Sequence, residues 1–193
     1  RSHMEEFDSQ TKKLSDLTGM KYYKFAEACT LEEGTFGNGF LSRIPITDCS
    51  VIHIPEKDVD KSVMFYEMRC ILKAKLANGF TVLVTHFGLS EKEHINAVEV
   101  IMENLEEEKC ILMGDFNVTP DNKVIAPIKE KMKDTTVIMI AQRIASVKEA
   151  DRIAVIEDGT IKHCAPHDEL MRISETYRDI YDSQMKNGGV VNE

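Results

Sequence analysis

An α/β fold is predicted for this 193-residue chain, and three features of the sequence carry the prediction. Between Thr81 and Pro120 two short apolar runs, Val82–Val84 and Cys110–Met113, bracket a stretch in which Ile95, Val98, Ile101 (or Met102) and Leu105 recur every three to four residues. That pattern is strand, helix, strand. Ahead of it lie several strand-length apolar runs punctuated by glycine, proline and Asn-Gly signals. Beyond Asp134 the order changes to strand, short helix, two strands and a long helix. The whole reads as a strand-rich α/β sandwich completed or extended by a β-α-β-β-α segment.

Taken in order, Glu5–Leu17 reads as a surface helix with Leu14 and Leu17 as its apolar contacts. Lys21–Ala28 is a strand and Gly34–Gly39 a tight glycine-rich connection. Gly39–Ile44 and Cys49–Ile54 are strands joined by a turn at Pro45–Asp48. Ser62–Leu76 and Phe80–Val84 flank Asn78-Gly79, a strong hairpin signal. Ser90, with Glu93 three residues on, is a capping box that fixes the start of the crossover helix. Such a crossover returns its second strand parallel to the first, so both strands end at one sheet edge. Both end polar, in Thr85-His86 and in Asp115-Phe116-Asn117. Alternation places Asp115 and Asn117 on one side and turns Phe116 away. A carboxylate, an amide and an imidazole therefore converge where open α/β sheets hold ligands. Pro127–Lys133 is a short polar helix. Thr135–Ala141 is a buried strand, Ala145–Ala150 a short helix, and Asp158-Gly159 turns the strand Arg152–Glu157 into Thr160–Cys164. His167–Met185 is a long helix with Leu170, Ile173, Tyr177, Ile180 and Tyr181 along one face.

Four motifs in this order, LTGMKYYKF, FGNGFLSRIPI, THFGL and MGDFNVTPD, resemble the metal-dependent endonuclease/exonuclease/phosphatase family, the relatives of DNase I and the abasic-site endonucleases. The resemblance runs from about Thr11 to Asp134. It implies a truncated DNase I-like α/β sandwich, a phosphate-ester substrate of unidentified class and a Mg²⁺ cofactor. By the same resemblance Asp115 orients or deprotonates the attacking water, Asn117 hydrogen-bonds the phosphate and His86 assists there. Arg43 pairs with the phosphate as a charged fork, and Asn38 lies near the same edge. The family's strand-borne Asn and metal-binding Glu, and its closing Asp-His pair, are not identifiable here. Asp115 is then a thin metal site, and Mg²⁺ is expected to bind weakly or not at all.

A second resemblance begins at TTVIMIAQRIASVKEADRIAVIEDGTIKHCAPHDEL and continues into YRDIYDSQ. These residues, Thr135 to about Gln184, resemble the C-terminal end of an ABC-transporter ATP-binding domain. The phosphate-cradling loop of that family is absent, since no glycine in the chain precedes a lysine. Its glycine-rich signature and catalytic Glu are missing too, and its switch histidine is Gln142 here. No ATP binding is expected. The domain organisation predicted is a tag remnant at 1–4, a phosphohydrolase-like segment at 5–134, an ABC-like segment at 135–185 and a tail at 186–193.

A net charge of -9 argues against a broad nucleic-acid-binding surface. Cys29, Cys49, Cys70, Cys110 and Cys164 show no CxxC spacing and read as reduced thiols of a cytoplasmic protein. No apolar run has the length of a membrane span, and no signal peptide is recognisable. Each candidate also has a plain structural role open to it. Asp-x-Asn after a strand is common turn chemistry, His86 can be a strand-end histidine and Arg43 a surface arginine. Glu106–Glu108 reads as a solvated helix end and the ten methionines as core filler. His163 and His167 have ligand-like spacing, which the ABC resemblance assigns to a strand end and a helix start. Three functions follow as expectations: a weak metal-dependent phosphoesterase; a non-catalytic hybrid, natural or engineered, whose property is folding or association; and an ABC fragment acting as an interaction module. Strand edges left without partners predict docking of the segments, with Val137–Ile140 and Ile153–Ile156 extending the sheet, or a swapped dimer.

Overall fold

A computed structural model describes residues 10–31, 34–62, 66–106, 108–119, 122–133, 136–139 and 144–187. They fall into two compact units. The first takes in the described residues up to Asn117 together with Val124 to Met139; the second takes in Val118, Thr119, Asn122, Lys123 and the residues from Ile144 onward.

The first unit is built on a five-stranded sheet in the order β3-β4-β5-β6-β7, with β3 at Ile46–His53, β4 at Cys70–Leu76, β5 at Thr81–His86, β6 at Cys110–Asp115 and β7 at Thr136–Met139. The pairs β3–β4 and β4–β5 are antiparallel, and β5–β6 and β6–β7 are parallel. Strand β7 falls in the stretch for which an ABC-like segment is predicted, and it extends the sheet in register from Ile111↔Thr136 to Gly114↔Met139. Ile140 lies outside the described residues. Strands β1 (Tyr22–Leu31) and β2 (Gly34–Ser42) form a separate antiparallel ribbon.

The ribbon lies on one face of the sheet. Ala26, Ala28 and Phe40 meet Cys70, Leu72, Ala74, Leu76, Val82 and Val84 there, the alternate residues of each strand. Ile71, Leu83 and Leu112 point to the other face and are fully buried, each worth roughly 1.5–3 kcal/mol relative to exposure. Helix α2 (Glu91–Asn104) covers that second face: Lys73 Nζ, on the same side as Ile71, donates to the Asn104 carbonyl at 3.2 Å. Its capping box forms as expected, with the Glu93 N–H donating to Ser90 Oγ at 3.3 Å and the Ser90 N–H to Glu93 Oε2 at 2.9 Å. The buried stripe is Ala97, Val98 and Ile101, whereas Ile95 is exposed.

Four expectations change in this unit. The turn predicted at Pro45–Asp48 ends before Ile46, where β3 begins, and the preceding strand ends at Ser42. Gly34–Gly39 is strand rather than connection. A Cβ at Gly37 would lie 1.8 Å from the Ala26 carbonyl oxygen, so glycine is what lets β2 close on β1 beside the bulge between Glu27 and Cys29. Helix α1 (Gln10–Thr18) buries Thr11 and Ser15, while Leu17 is 83% exposed. Thr11 packs so close over Gly39 that a Cβ there would be 2.9 Å from Thr11 Oγ1, and small side chains set the approach. Within the predicted run Ser62–Leu76, residues 63–65 lie outside the described residues, residues 66–69 are not strand, and the strand begins at Cys70; Asp60 Oδ1 takes the Ser62 N–H and hydroxyl in a turn before it. The Asn78-Gly79 hairpin forms, with Gly79 at φ 86. Helix α3 (Ala126–Lys131) follows β6 and packs near α2.

The second unit holds the hairpin of β8 (Ile153–Glu157) and β9 (Thr160–Ala165), turned at Asp158-Gly159, and the helices α4 (His167–Ile173) and α5 (Glu175–Asn187). Val155, Ala165, Leu170 and Tyr177 form its core with Ile144. Strand β8 pairs with β9, and neither joins the five-stranded sheet. The expected long helix is two helices. Buried Ser174 leaves helical geometry at φ -111, ψ 114 and caps α5, accepting the Tyr177 N–H on its hydroxyl at 3.2 Å. The single apolar stripe is broken with it, and Ile173 and Ile180 are exposed.

Candidate functional site

The parallel pairing of β5 and β6 puts His86 directly beside Asp115 at the carboxyl edge of the sheet. Gly114 makes this pairing possible. It sits at φ 147, and a Cβ there would be 1.8 Å from the Thr85 carbonyl oxygen. Past the edge, the Phe87 N–H donates to the Asp115 carbonyl at 2.9 Å. Asn117 takes a left-handed conformation, φ 50, which asparagine tolerates better than most residues. Its N–H donates to Asp115 Oδ1 at 3.0 Å and its Nδ2 to the Phe87 carbonyl at 2.9 Å. Phe116 turns away and is buried edge-on against Phe87.

His86 is half-buried, and its Nδ1 lies 3.2 Å from an Arg69 guanidinium nitrogen. A guanidinium only donates, so in this contact Nδ1 accepts and the ring hydrogen sits on Nε2; Asn117 Nδ2, a donor too, then faces Nε2 without a hydrogen bond to it and donates to the Phe87 carbonyl instead. Nε2 is 3.9 Å from Asp115 Oδ2 and 3.3 Å from Asn117 Nδ2. Burial, and then the Arg69 charge, lower the pKa of His86 from its ordinary value, against opposing pulls from Asp115 and Glu67. The ring is therefore neutral at pH 7, and its approach to Asp115 is an N–H dipole facing a carboxylate, not an ion pair. Arg69 in turn pairs with Glu67 at 3.0 Å, and its Nε is buried without a partner among the described residues.

The structure thus brings together His86, Asp115 and Asn117. Asn38 lies at the same end, but its amide donates to the Cys70 carbonyl at 2.8 Å and so stitches the ribbon to the sheet. Arg43 is exposed and lies elsewhere. The Pro45 carbonyl, two residues on, accepts from Ala77, and Ile46 pairs with Leu76. That is the far end of β4, roughly 20 Å along the strand from Cys70 at about 3.3 Å per residue. The arginine at the site is Arg69. Its signal in the sequence is Glu67-x-Arg69, a charged pair at strand spacing just ahead of the apolar run CILKAKL.

A shallow, solvent-open depression adjoins Arg69, lined among others by Glu56, Tyr66, Glu67 and Glu93. Its carboxylates are already engaged: Glu56 by Tyr66 and Lys61, Glu67 by Arg69, Glu93 in the capping box. Among the described residues no group of three His, Cys, Asp or Glu is placed to hold a metal ion. Asp115 offers one free oxygen, Oδ2, beside a ring N–H. This donor set does not fit a resident Mg²⁺, which requires near-octahedral oxygen ligation. His167 Nδ1 shares a hydrogen bond with the Tyr177 hydroxyl at 2.9 Å. Glu106 is not a purely solvated group. It accepts from Thr81 Oγ1 at 2.7 Å and lies near Lys73 and Lys75, and the Thr81 bond above all lowers its pKa. All five cysteines are free thiols.

The chain was compared with known proteins in sequence and in structure. No family model matches the chain. It is 36% identical over 127 residues to the uncharacterized ABC transporter ATP-binding protein YknU of Bacillus subtilis, covering 62% of this chain and 21% of that protein. It is 33% identical over 114 residues to an ATP-dependent lipid A-core flippase of Mannheimia succiniciproducens, covering 56% and 20%. The chain spans about a fifth of these curated relatives. Stretches this long exceed the residues from Thr135 to the C-terminus, so the similarity reaches into the preceding segment. Among solved structures, an endonuclease/exonuclease/phosphatase from Beutenbergia cavernae aligns over 64% of this chain and 40% of its own, with a TM-score of 0.45 and 15% identity. Over the matched stretches the chain is similar in sequence to ABC ATP-binding proteins. No helix among the described residues is long and apolar enough to cross a membrane.

Proposed function

We propose that this chain is a hybrid whose first unit keeps a weak phosphodiester-binding site of phosphohydrolase descent, with at most residual hydrolysis, and whose ABC-like segment serves structure rather than nucleotide chemistry. The observation that supports this reading is the meeting of His86, Arg69, Asp115 and Asn117 at the carboxyl edge of β5 and β6. Asp115 has one oxygen fixed by the Asn117 N–H, which leaves Oδ2 as the base for a water attacking phosphorus. The Nε2–H of neutral His86 is the donor to a phosphoryl oxygen, and Arg69 holds that tautomer in place.

The charges favour a monoanion and keep affinity low. Glu67 offsets Arg69, Asp115 adds a negative charge and His86 is neutral, so the group carries more negative than positive charge. A phosphomonoester dianion is repelled more strongly than a diester monoanion. A Mg²⁺ ion would enter only with substrate. ATP has no place in this scheme, since the chain lacks the glycine-lysine loop that cradles phosphates.

Hydrolysis of bis-p-nitrophenyl phosphate, with and without Mg²⁺ or Mn²⁺, tests the reading. Trace turnover lost in Asp115→Ala is expected. Turnover at an ordinary enzyme rate, of order 1–10³ per second, would overturn the claim of weak activity. A trace that survives Asp115→Ala would remove the assignment of the base.

A further inference from the structure

The β8–β9 hairpin of the second unit is covered on one side and bare on the other. Val155 and Ala165 turn inward, where they meet Leu170 and Tyr177. Alternation turns Ala154 and Ile156 outward, and their register partners Cys164 and Ile161 go with them. All four are exposed, Ile156 at 66% and Ile161 at 63%. A register shift creates this apolar face. Pairing is regular from Ile153↔Ala165 to Val155↔His163, and its continuation would set Lys162 opposite Ile156. The shift after Val155 passes Lys162 over and sets Ile161 there instead. One extra residue in a strand turns the side chains beyond it to the opposite face. The exposed isoleucine pair thus stands where regular pairing would have placed an ammonium group.

The charges at the two ends of the hairpin select what covers that face. Arg152, on the outward side with Ala154 and Ile156, stands at the open end, where its guanidinium donates to the Cys164 carbonyl at 2.6 Å. Glu157 and Asp158 stand at the other end, beside the turn. A cation at one end and carboxylates at the other make the face complementary to itself. Turned end for end over a second copy, each Arg152 meets the Asp158 of the other. Seated parallel, the copies would bring Arg152 against Arg152 and carboxylate against carboxylate. An anionic membrane or a polyanion is repelled both by the turn and by the net charge of -9.

We propose that a second copy of the chain docks on this face, the two hairpins packed face to face and antiparallel about a twofold axis. Ile156 and Ile161 of each copy lie at the centre, and Arg152 of one lies beside Asp158 of the other at both ends. Each copy presents the same patch, so the contact closes as a dimer. Sheets packed face to face stand about 10 Å apart with their side chains interleaved. Two isoleucines, an alanine and a cysteine from each copy cover less than the roughly 800 Å² per partner of a standard interface, so the dimer is weak and forms with rising concentration. None of this depends on the phosphodiester reading of the first unit.

Sedimentation velocity of the full chain over a concentration series tests the proposal, with circular dichroism to establish that each variant is folded. The wild type is expected to show a monomer–dimer equilibrium. Ile156→Glu and Ile161→Glu, both at exposed positions, should each raise the dimer dissociation constant about tenfold or more. Arg152→Glu and Asp158→Arg should each weaken the dimer, and the chain carrying both should associate more tightly than either single variant. Within one chain these two residues lie about 20 Å apart along β8, at about 3.3 Å per residue, so only pairing between copies accounts for such a recovery. A monomer at every concentration overturns the proposal, as does a dimer that both glutamate variants leave intact. A charge swap that recovers nothing overturns the antiparallel seating and the proposal with it. A monomer that cosediments with phosphatidylcholine vesicles, and loses that binding in Ile156→Glu, gives the face to lipid instead.

Discussion

Gly114→Ala tests whether the site is a product of the β5–β6 register. A Cβ at this position would be 1.8 Å from the Thr85 carbonyl oxygen, and the backbone stands at φ 147. Both effects act against alanine. The backbone conformation costs an L-residue about 1–3 kcal/mol, and overpacking against a carbonyl that cannot swing aside costs about 1–3 kcal/mol more. A loss of roughly 4 kcal/mol is expected for the first unit. Gly79→Ala is the control: its φ is 86, but the nearest atoms lie 3.8 Å away on the flexible Lys109 side chain. There only the backbone cost remains, about 1–2 kcal/mol. Urea unfolding followed by circular dichroism measures both, and the His86 ring resonances report whether Asp115 has moved. If Gly114→Ala costs no more than Gly79→Ala, the two strands are not held in the described register. The placement of Asp115 beside His86 would then be wrong.

Three further outcomes are expected. Ser90→Ala should cost about 1 kcal/mol in the same urea assay, the usual loss for a helix cap, since Ser90 and Glu93 satisfy one another and Glu93 also holds the Leu89 N–H; a neutral substitution would contradict the capping geometry. His86 makes stability depend on pH. Its folded pKa is depressed by burial and by Arg69, so below the ordinary value of about 6.5 the unfolded chain binds more protons than the native one. Stability from this group is complete above that pH and falls as pH drops toward the folded pKa; urea midpoints from pH 7.5 to 5 should show a decline that His86→Gln flattens. Finally, sedimentation should find a dimer. The cross-strand pair Ile156 and Ile161 is exposed on the β8–β9 hairpin, and Ile156→Glu should weaken the association; a monomer at all concentrations would refute it.

What could be read from the sequence was whatever local chemistry dictates. The capping box at Ser90, the Asn78-Gly79 hairpin, the parallel crossover and the convergence of His86 with Asp115 each depend on a few neighbouring residues, and each is present. The misreadings share one physical cause. Glycine in Gly34–Gly39 signals a turn locally, yet here it answers a demand from another strand, because Gly37 sits against the Ala26 carbonyl and Gly39 under Thr11. Leu14 and Leu17 look like a helix's buried face, but the ribbon accepts only small side chains at that approach. Ser174 was legible as a cap, being a serine ahead of Glu175, but the apolar spacing around it imitates one continuous helix. Arg43 sits in a motif that suggests phosphate binding, and only the pairing of Ile46 with Leu76 reveals that it lies at the wrong end of the sheet.

The addition of β7 to the sheet shows how little a parallel edge strand demands. Strand β7 meets β6 through backbone hydrogen bonds over four residues, and those bonds take no account of the side-chain history of either partner. Once β7 is paired, β6 is an interior strand with neighbours on both sides, and its end, where Asp115 sits, is more firmly fixed than an edge strand's would be. Strand β7 therefore holds the end of β6 mechanically. Geometry and charge then separate. The strand ends hold His86, Asp115 and Asn117 together, while Arg69 is offset by Glu67 and Arg43 lies at the far end of β4. On the proposed reading such a group should bind before it catalyses, and should discriminate among ligands by shape more than by charge.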